Sequence, residues 1–219
     1  MVYPSRPPVV ERGAWEGARS ELLAREKAHT RAGDQLAAAR RRLPMTRMGP
    51  VTVTGANGPT PLREVFEGRH MLLVYHFMWK RGASHDKQCP GCTHTQVALN
   101  EAVRAYLAER DVSYAVFSAG PWPEIAAYRE FMGWTGPWYS TQDTGTALPA
   151  TRDGDDVFQT YETTARGVEA MLPTLQLLDL TAYGRQETWE DSPAGWPQGE
   201  AGAWWWRDGR PVAQWLRPP

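Results

Sequence analysis

The two cysteines of this chain, Cys89 and Cys92, are its only ones and belong to the sequence Cys-Pro-Gly-Cys. They come after a long apolar run and open a segment whose pattern is typical of a helix. The first N–H groups of a helix have no partner within it, and the positive end of the helix dipole lies there. Both features stabilise a thiolate, which is the reactive form of cysteine. The pair therefore predicts a dithiol/disulfide redox centre at a strand-to-helix turn.

The two cysteines have different expected roles in such a centre. Cys89 stands before Pro90, nearest to the start of the helix, and is expected to attack a disulfide. Cys92 lies one turn inside the helix and is expected to resolve the resulting mixed disulfide. The alternative interpretation is a pair of reduced structural thiols, because free cysteines are commonly buried and inert.

Histidines near the cysteine pair allow a metal hypothesis. A zinc set of two histidines and two cysteines can be written with His85, Cys89, Cys92 and His94. Cys92 and His94 are two positions apart on a helix and therefore point to different sides, which disfavours a zinc ion bound by both of them. We therefore expect no metal, and the sequence implies no bound organic cofactor. His76, inside the apolar run, is interpreted as a core histidine, with a place beside the dithiol as the alternative.

Strands and helices alternate around the cysteine pair. The apolar run 71–79 predicts a central strand, and residues 80–88 form a polar loop that leads to Cys89. Beyond the loop, a helix is expected from about Gly91 to Glu109. The remaining expected elements are strands at 51–54, 112–118, 138–140, 157–161, 174–180 and 185–189, helices at 61–66 and 123–132, and a polar loop at 141–156. This alternation predicts an α/β fold with a mostly parallel sheet.

The two ends of the chain differ from this central region, which extends over residues 45–190. Residues 1–44 comprise a proline-rich arm and a charged helix from about Trp15 to Arg42. Residues 191–219 form a tail rich in proline, glycine and tryptophan, which predicts irregular structure packed by its indoles. The apolar stripe of the N-terminal helix is too sparse for a core but suits a partner surface, so a homodimer through this helix is the expected assembly.

The overall composition excludes several classes of function. With 219 residues, of which 42% are hydrophobic, the chain can bury a sizeable core. A net charge of −1 gives no reason to expect nucleic acid as a partner. We find neither an apolar stretch of roughly 18 residues nor a secretory signal, so no membrane partner is expected. The expected location is the cytoplasm, where structural disulfides are rare and working dithiols are permitted.

The order of elements around the cysteine pair resembles the thioredoxin fold. More specifically, the chain is similar to a bacterial family of thioredoxin-like proteins of unknown function. The motifs that carry this resemblance are Val-Tyr-His-Phe-Met at 74–78, Cys-Pro-Gly-Cys at 89–92, Tyr-Arg-Glu-Phe-Met-Gly-Trp at 128–134, Pro-Trp-Tyr-Ser at 137–140, Thr-Tyr at 160–161 with Ala-Arg-Gly at 165–167, and Leu-Asp-Leu-Thr at 178–181. The resemblance implies a mixed central sheet flanked by helices, with the N-terminal helix and the tryptophan-rich tail as extensions.

Two further positions acquire a meaning from this resemblance. Pro173 stands just before the predicted strand 174–180, where thioredoxin-like proteins carry a cis-proline that faces the dithiol. Pro173 is therefore counted as a catalytic residue together with Cys89 and Cys92. Peroxidase chemistry of the peroxiredoxin kind would require threonine or serine three residues before the attacking cysteine. Asp86 stands there instead, and its charge would repel a peroxide-bound thiolate.

These features together predict a thiol–disulfide oxidoreductase that acts through its Cys-Pro-Gly-Cys dithiol on a protein or small-molecule disulfide. The alternative is a non-catalytic thioredoxin-like scaffold or interaction protein. In that case the N-terminal helix and the tryptophan-rich tail would mediate assembly.

Overall fold

The computed structural model describes residues 5–142 and 150–217. The α-helices are α1 Arg12–Arg40, α2 Leu62–Val65, α3 Pro90–Ala98, α4 Glu101–Ala108, α5 Trp122–Phe131 and α6 Pro173–Asp179. The strands are β1 Thr46–Arg47, β2 Thr52–Gly55, β3 Gly58–Pro61, β4 Met71–Phe77, β5 Val112–Ser118, β6 Trp138–Ser140, β7 Ala150–Asp153, β8 Asp156–Gln159, β9 Trp206–Arg207 and β10 Arg210–Pro211. Short 3-10 helices occupy His85–Lys87, Ala165–Met171, Ala203–Trp205 and Val212–Trp215. Parts of the predicted arm, polar loop and tail, at 1–4, 143–149 and 218–219, lie outside this description.

The chain divides into two compact units. One consists of the sequence up to Pro44 together with Asp191–Pro197, and the other of Met45–Glu190 with Gln198–Pro219. Helix α1, in the first unit, buries none of its 29 residues. Across the described parts of both units, no helix is both long enough and apolar enough to cross a membrane.

A mixed sheet forms the centre of the second unit. Its described strands follow the order β1-β8-β7-β4-β5-β6-β2-β3. Strand β5 runs parallel to both β4 and β6, and the other pairings are antiparallel. In register, Met71 faces Val112 and Phe77 faces Ser118, so β4 and β5 pair along their whole length. The parallel pair requires a crossover, and helices α3 and α4 supply it.

Strand β4 separates two apolar cores because its side chains alternate between the faces of the sheet. Tyr75 and Phe77 join the core that contains both cysteines. Leu72 and Val74 join the core on the other face, with α2. The continuous apolar run of β4 is thus explained by burial on both faces, as is usual for strands with parallel partners.

The topology is that of a thioredoxin-like fold with the predicted helical and tail extensions. The cysteine pair follows β4 at the start of α3, and a β-hairpin pairs with the other edge of β4. That hairpin is β7–β8, with Arg152 opposite Val157 and a tight turn at Gly154. It lies partly inside the range 141–156 for which a polar loop was predicted. The loop prediction is therefore wrong from Ala150 onward.

The strand predicted at 174–180 is a helix, α6, and the strand predicted at 185–189 is absent, with only an isolated bridge at Glu187. Pro173 is the first residue of α6, where its fixed φ and missing N–H suit a helix start. No cis peptide bond occurs among the described residues, so the bond before Pro173 is trans and the cis prediction is wrong. The pattern of a short apolar run such as Leu-Gln-Leu-Leu is compatible with either a strand or a helix. The position beside β4 where the predicted strand would have paired is occupied by β7.

The single helix predicted from Gly91 to Glu109 is two helices. Helix α3 ends before Leu99, and Asn100 begins the next by accepting a hydrogen bond from the N–H of Val103 at 3.2 Å. An asparagine side chain in this position satisfies one of the free N–H groups of α4. The break allows α3 and α4 to turn separately over the sheet.

The tail from Gln198 packs against the start of α3. A Cβ atom on Gly91 would lie 2.5 Å from Cζ3 of Trp205, so the indole rests directly on the turn between the cysteines. The side chain of Gln214 donates to the carbonyl of His85 at 2.7 Å, and Lys87 Nζ donates to the carbonyl of Gly209 at 3.2 Å. These contacts fasten the tail to the segment that precedes Cys89.

We predict that Gly91→Ala lowers the free energy of unfolding by about 1–3 kcal/mol, because the added methyl overpacks the contact with Trp205. Gly49→Ala is the matched control, since no heavy atom lies within 4 Å of its Cβ position. Urea unfolding of both variants measures the difference. Equal midpoints for the two variants would show that Trp205 does not rest on Gly91 in solution.

Candidate active site

Cys89 is the N-cap residue of α3, and Pro90 is the first residue of that helix. The Sγ atom of Cys89 accepts a hydrogen bond from the backbone N–H of Cys92 at 3.4 Å. Only 8% of Cys89 and 2% of Cys92 is exposed, and both thiols are free. The predicted placement of the pair, after a central strand and at a helix start, is thus the observed one.

The surroundings of Cys89 favour its thiolate. The largest contribution is a hydrogen bond from the side chain of Cys92, and the backbone N–H groups of Cys92 and Gly91 and the charge of Lys80 add to it. Burial opposes these effects, yet together they lower the pKa of the Cys89 thiol to about 6. A free cysteine has a pKa of about 8.5, so Cys89 is the acidic member of the pair.

Cys92 has the opposite protonation preference. Its hydrogen bond to Cys89, its burial and the nearby negative charge of Cys89 all raise the pKa of the Cys92 thiol. The backbone N–H of Met78 donates to its sulfur at 3.4 Å. Burial, followed by the influence of Cys92, also raises the pKa of Tyr75, which keeps that hydroxyl neutral. At neutral pH the site therefore holds one thiolate and one thiol.

The loop between β4 and the cysteines is held from within by Gln88, which is fully buried. Its Nε2 donates to the carbonyls of Lys80 at 2.9 Å and Ala83 at 3.2 Å. Its Oε1 accepts from the backbone N–H of Lys80 at 3.1 Å. These bonds hold the backbone of Lys80, the residue whose charge contributes to the lowered pKa of Cys89. Gln88 was not predicted from the sequence, since a glutamine in a polar loop carries no signal of burial.

A second set of buried hydrogen bonds supports the backbone of the turn that contains the two cysteines. Thr93 Oγ1 donates to the carbonyl of Cys89 at 2.7 Å and lies 2.9 Å from the hydroxyl of Tyr128. Gln214, from the tail, donates to the same hydroxyl at 3.0 Å. The position of Cys89 is thus coupled to α5 and to the tail. The sequence singled out Tyr128 only as part of the motif at 128–134, and it gave no sign of a supporting role for Thr93 or Gln214.

The histidines are placed away from any shared metal position. His85 packs its ring against Phe131, with 4.6 Å between ring centroids. His94 Nε2 forms a hydrogen bond with Thr174 Oγ1 at 2.9 Å. Within residues 5–142 and 150–217, no three or more histidine, cysteine, aspartate or glutamate side chains are grouped to hold a metal ion.

His76 lies on the face of β4 opposite to Tyr75, and its ring meets the ring of Phe117 edge-on at 6.0 Å. Phe117 belongs to the core that does not contain the cysteines. Burial lowers the pKa of His76, and a weaker influence of Glu162 opposes this. His76 therefore lies at the core, as the first interpretation of the sequence had it, but its Nε2 has no hydrogen-bond partner among the described residues.

Pro173 was grouped with the cysteines on the assumption that a strand follows it, and a helix follows instead. The residue next to it, Thr174, meets α3 through His94. The proline that directly precedes the antiparallel neighbour of β4 is Pro149, which lies outside the described residues. The structural reason for assigning a catalytic role to Pro173 is therefore lost.

Asp86 has local partners of its own. Ser84 Oγ donates to its carboxylate at 2.5 Å, and Lys87 Nζ lies 2.9 Å from it. These two contacts, in that order, lower the pKa of Asp86. The residue that stands three positions before Cys89 is thus a charged carboxylate engaged with its neighbours.

Comparison with known proteins places the chain in a family. No curated protein matches it. Among solved structures, the crystal structure of peroxidoxin BcpB from Mycobacterium tuberculosis is similar at 15% sequence identity and a TM-score of 0.42, covering 62% of this chain and 97% of that one. The family described as "Bacterial protein of unknown function (DUF899)" matches residues 4–151 and 144–210. Because the match spans most of the sequence, this chain belongs to the DUF899 family of bacterial proteins.

Proposed function

We propose that this protein is a thiol–disulfide oxidoreductase whose reactive dithiol is Cys89 and Cys92. The observation that carries the proposal is the place of Cys89 at the N-cap of α3, where its sulfur accepts a hydrogen bond from the backbone N–H of Cys92; the opposite shifts of the two thiol pKa values agree with this geometry. A nucleophile must be ionised at working pH, whereas a resolving thiol must not compete with it. The pair satisfies both requirements at neutral pH.

In the first step, the Cys89 thiolate attacks one sulfur of a substrate disulfide. A bond forms between Cys89 and that sulfur, the substrate S–S bond breaks, and the other substrate sulfur leaves as a thiolate that takes up a proton. The result is a mixed disulfide between Cys89 and the substrate. Cys89 no longer carries a negative charge at this stage.

In the second step, the loss of that charge makes Cys92 more acidic. Two causes of its raised pKa, the hydrogen bond to Cys89 and the charge of Cys89, are removed; burial still raises the pKa, while hydrogen bonds from Tyr75 and from the backbone N–H of Met78 lower it. Cys92 gives up its proton and attacks the sulfur of Cys89; the Cys89–Cys92 bond forms, the bond between Cys89 and the substrate breaks, and the second substrate sulfur leaves as a thiolate that takes up a proton. The substrate has gained two electrons, the enzyme holds a Cys89–Cys92 disulfide, and an external dithiol must return the electrons.

The proposed substrate is a protein or small-molecule disulfide, and the proposed chemistry uses no bound organic cofactor or metal. We also propose a cytoplasmic location. Both cysteines of the chain belong to the reactive pair, which leaves none for the structural disulfides of oxidising compartments.

We further propose that α1 pairs with the same helix of a second copy. Trp15 and Leu22 are seven residues apart, Leu22 and Leu36 are fourteen residues apart with His29 midway between them, and the three apolar side chains are exposed. Such a spacing is the repeat of helices that wrap around each other.

The alternative function, a non-catalytic scaffold, would rest on this helix, which is long and buries none of its residues.

We predict that the full-length protein reduces insulin disulfides in the presence of dithiothreitol. Cys89→Ser is expected to reduce turnover to the uncatalysed rate, because it removes the nucleophile. Cys92→Ser is expected to stop after the first step and to accumulate a mixed disulfide, which mass spectrometry of the intact protein detects.

The two serine variants control for each other, since each removes one buried thiol by the same change. Turnover that survives Cys89→Ser would refute the assignment of roles. Absence of turnover with insulin, glutathione disulfide and cystine alike would refute the oxidoreductase and leave the scaffold.

We predict that sedimentation of the full chain at micromolar concentration gives the mass of a dimer. The double variant Leu22→Glu with Leu36→Glu is expected to sediment as a monomer, because it places like charges in the apolar seam. Leu180→Glu is the matched control, at an exposed leucine outside α1. A monomeric wild-type protein, or a dimer that survives the double change, would contradict pairing through α1.

A further inference from the structure

A cavity of about 330 Å³ lies beside the dithiol core but is lined by neither cysteine. Residues from α3, α4, β5, β6, the turn after α5 and the C-terminal 3-10 helix form its walls. Its volume falls in the range of about 300–1,000 Å³ that is typical of small-molecule sites. The chemistry proposed for Cys89 and Cys92 makes no use of this space.

One wall of the cavity carries a hydrogen-bond donor without a partner. Gln96 is 6% exposed, and its Oε1 accepts a hydrogen bond from the hydroxyl of Tyr114 at 3.1 Å. That bond fixes the side-chain amide, whereas its Nε2 has no partner among the described residues. A buried donor without an acceptor is unfavourable, so an acceptor that reached Nε2 from the cavity would stabilise the site.

A second wall is aromatic and flat. The indoles of Trp134 and Trp138 are stacked, with centroids 5.3 Å apart and planes inclined by 12°. Both line the cavity, and Trp138 is only 3% exposed. Such a wall accommodates a planar, rigid and apolar part of a ligand.

The charged groups around the cavity are mainly cationic. Arg104 is held at its edge by hydrogen bonds to Thr135 Oγ1 at 3.0 Å and to the carbonyl of Leu99 at 3.4 Å. Arg217, stacked on a neighbouring ring, adds a second cation, and the exposed carboxylate of Glu101 is of opposite sign. Burial raises the pKa of Tyr114, while its hydrogen bond with Gln96 and the charge of Arg104 oppose that shift, so the charge of the guanidinium acts on the hydroxyl that is bonded to Gln96.

We propose that this cavity binds a small aromatic carboxylate. The ring would lie in the apolar space beside Trp134 and Trp138. The carboxylate would accept hydrogen bonds from Nε2 of Gln96 and from the guanidinium of Arg104, whose fork matches carboxylate oxygens. Binding at this site is independent of the redox chemistry and requires neither Cys89 nor Cys92.

The test is calorimetric titration of the reduced full-length protein with benzoate, and with benzamide as its uncharged counterpart. Benzoate is expected to bind with a dissociation constant of about 1 mM or tighter, and benzamide more weakly. Gln96→Leu and Arg104→Met are each expected to weaken benzoate binding by about tenfold or more, because each removes a donor to a charged group. Arg110→Met is the matched control, at an arginine that does not line the cavity.

Cys89→Ser keeps the two proposals separate, since it is expected to bind benzoate as the wild type does. Three results would each overturn the assignment of the cavity. They are absence of saturable benzoate binding, equal affinity for benzamide, and unchanged benzoate binding in both Gln96→Leu and Arg104→Met. Loss of insulin reduction in Cys89→Ser with benzoate binding intact would support both proposals.

Discussion

The proposed chemistry depends on the position of the Cys89 sulfur, which accepts hydrogen bonds from both the side chain and the backbone N–H of Cys92. The backbone N–H is available because Cys89 occupies the N-cap of α3, where N–H groups have no partner in the helix. The same geometry makes Cys89 acidic and, through its charge, makes Cys92 resistant to ionisation. Gln88 and Tyr128 hold the segments on either side of the turn, so polar side chains in the core preserve the geometry that the chemistry requires.

The parts of the fold that local pattern specifies were predictable. Strand β4 and its parallel neighbour β5 are buried on both faces of the sheet. Strands buried in this way have nearly continuous apolar sequences, which can be recognised without the structure. The stretch 174–180 was not predictable in the same way, because a short leucine-rich run suits a strand or a helix. Its conformation is decided by tertiary structure, since β7 occupies the place beside β4 and Pro173 can begin a helix.

The candidate site was predictable only as far as its reactive atoms. The spacing of Cys89 and Cys92 and the proline between them indicate a helix start, so the main features of the dithiol follow from the sequence. The residues that support it do not, because a buried glutamine such as Gln88 or Gln214 has the same sequence signal as an exposed one. Gln96 was missed for the same reason, and only packing reveals that its amide nitrogen lies buried without a partner.

The most direct test is a pH titration of thiolate ultraviolet absorbance in the reduced full-length protein. We expect one thiolate that appears with a midpoint near pH 6 and is absent in Cys89→Ser. In Cys92→Ala the midpoint is expected to rise, because the largest contribution to the acidity of Cys89 is the hydrogen bond from the Cys92 side chain. A wild-type midpoint at or above about 8.5, the value of a free cysteine, would contradict the account, as would a low-pH thiolate that persists in Cys89→Ser.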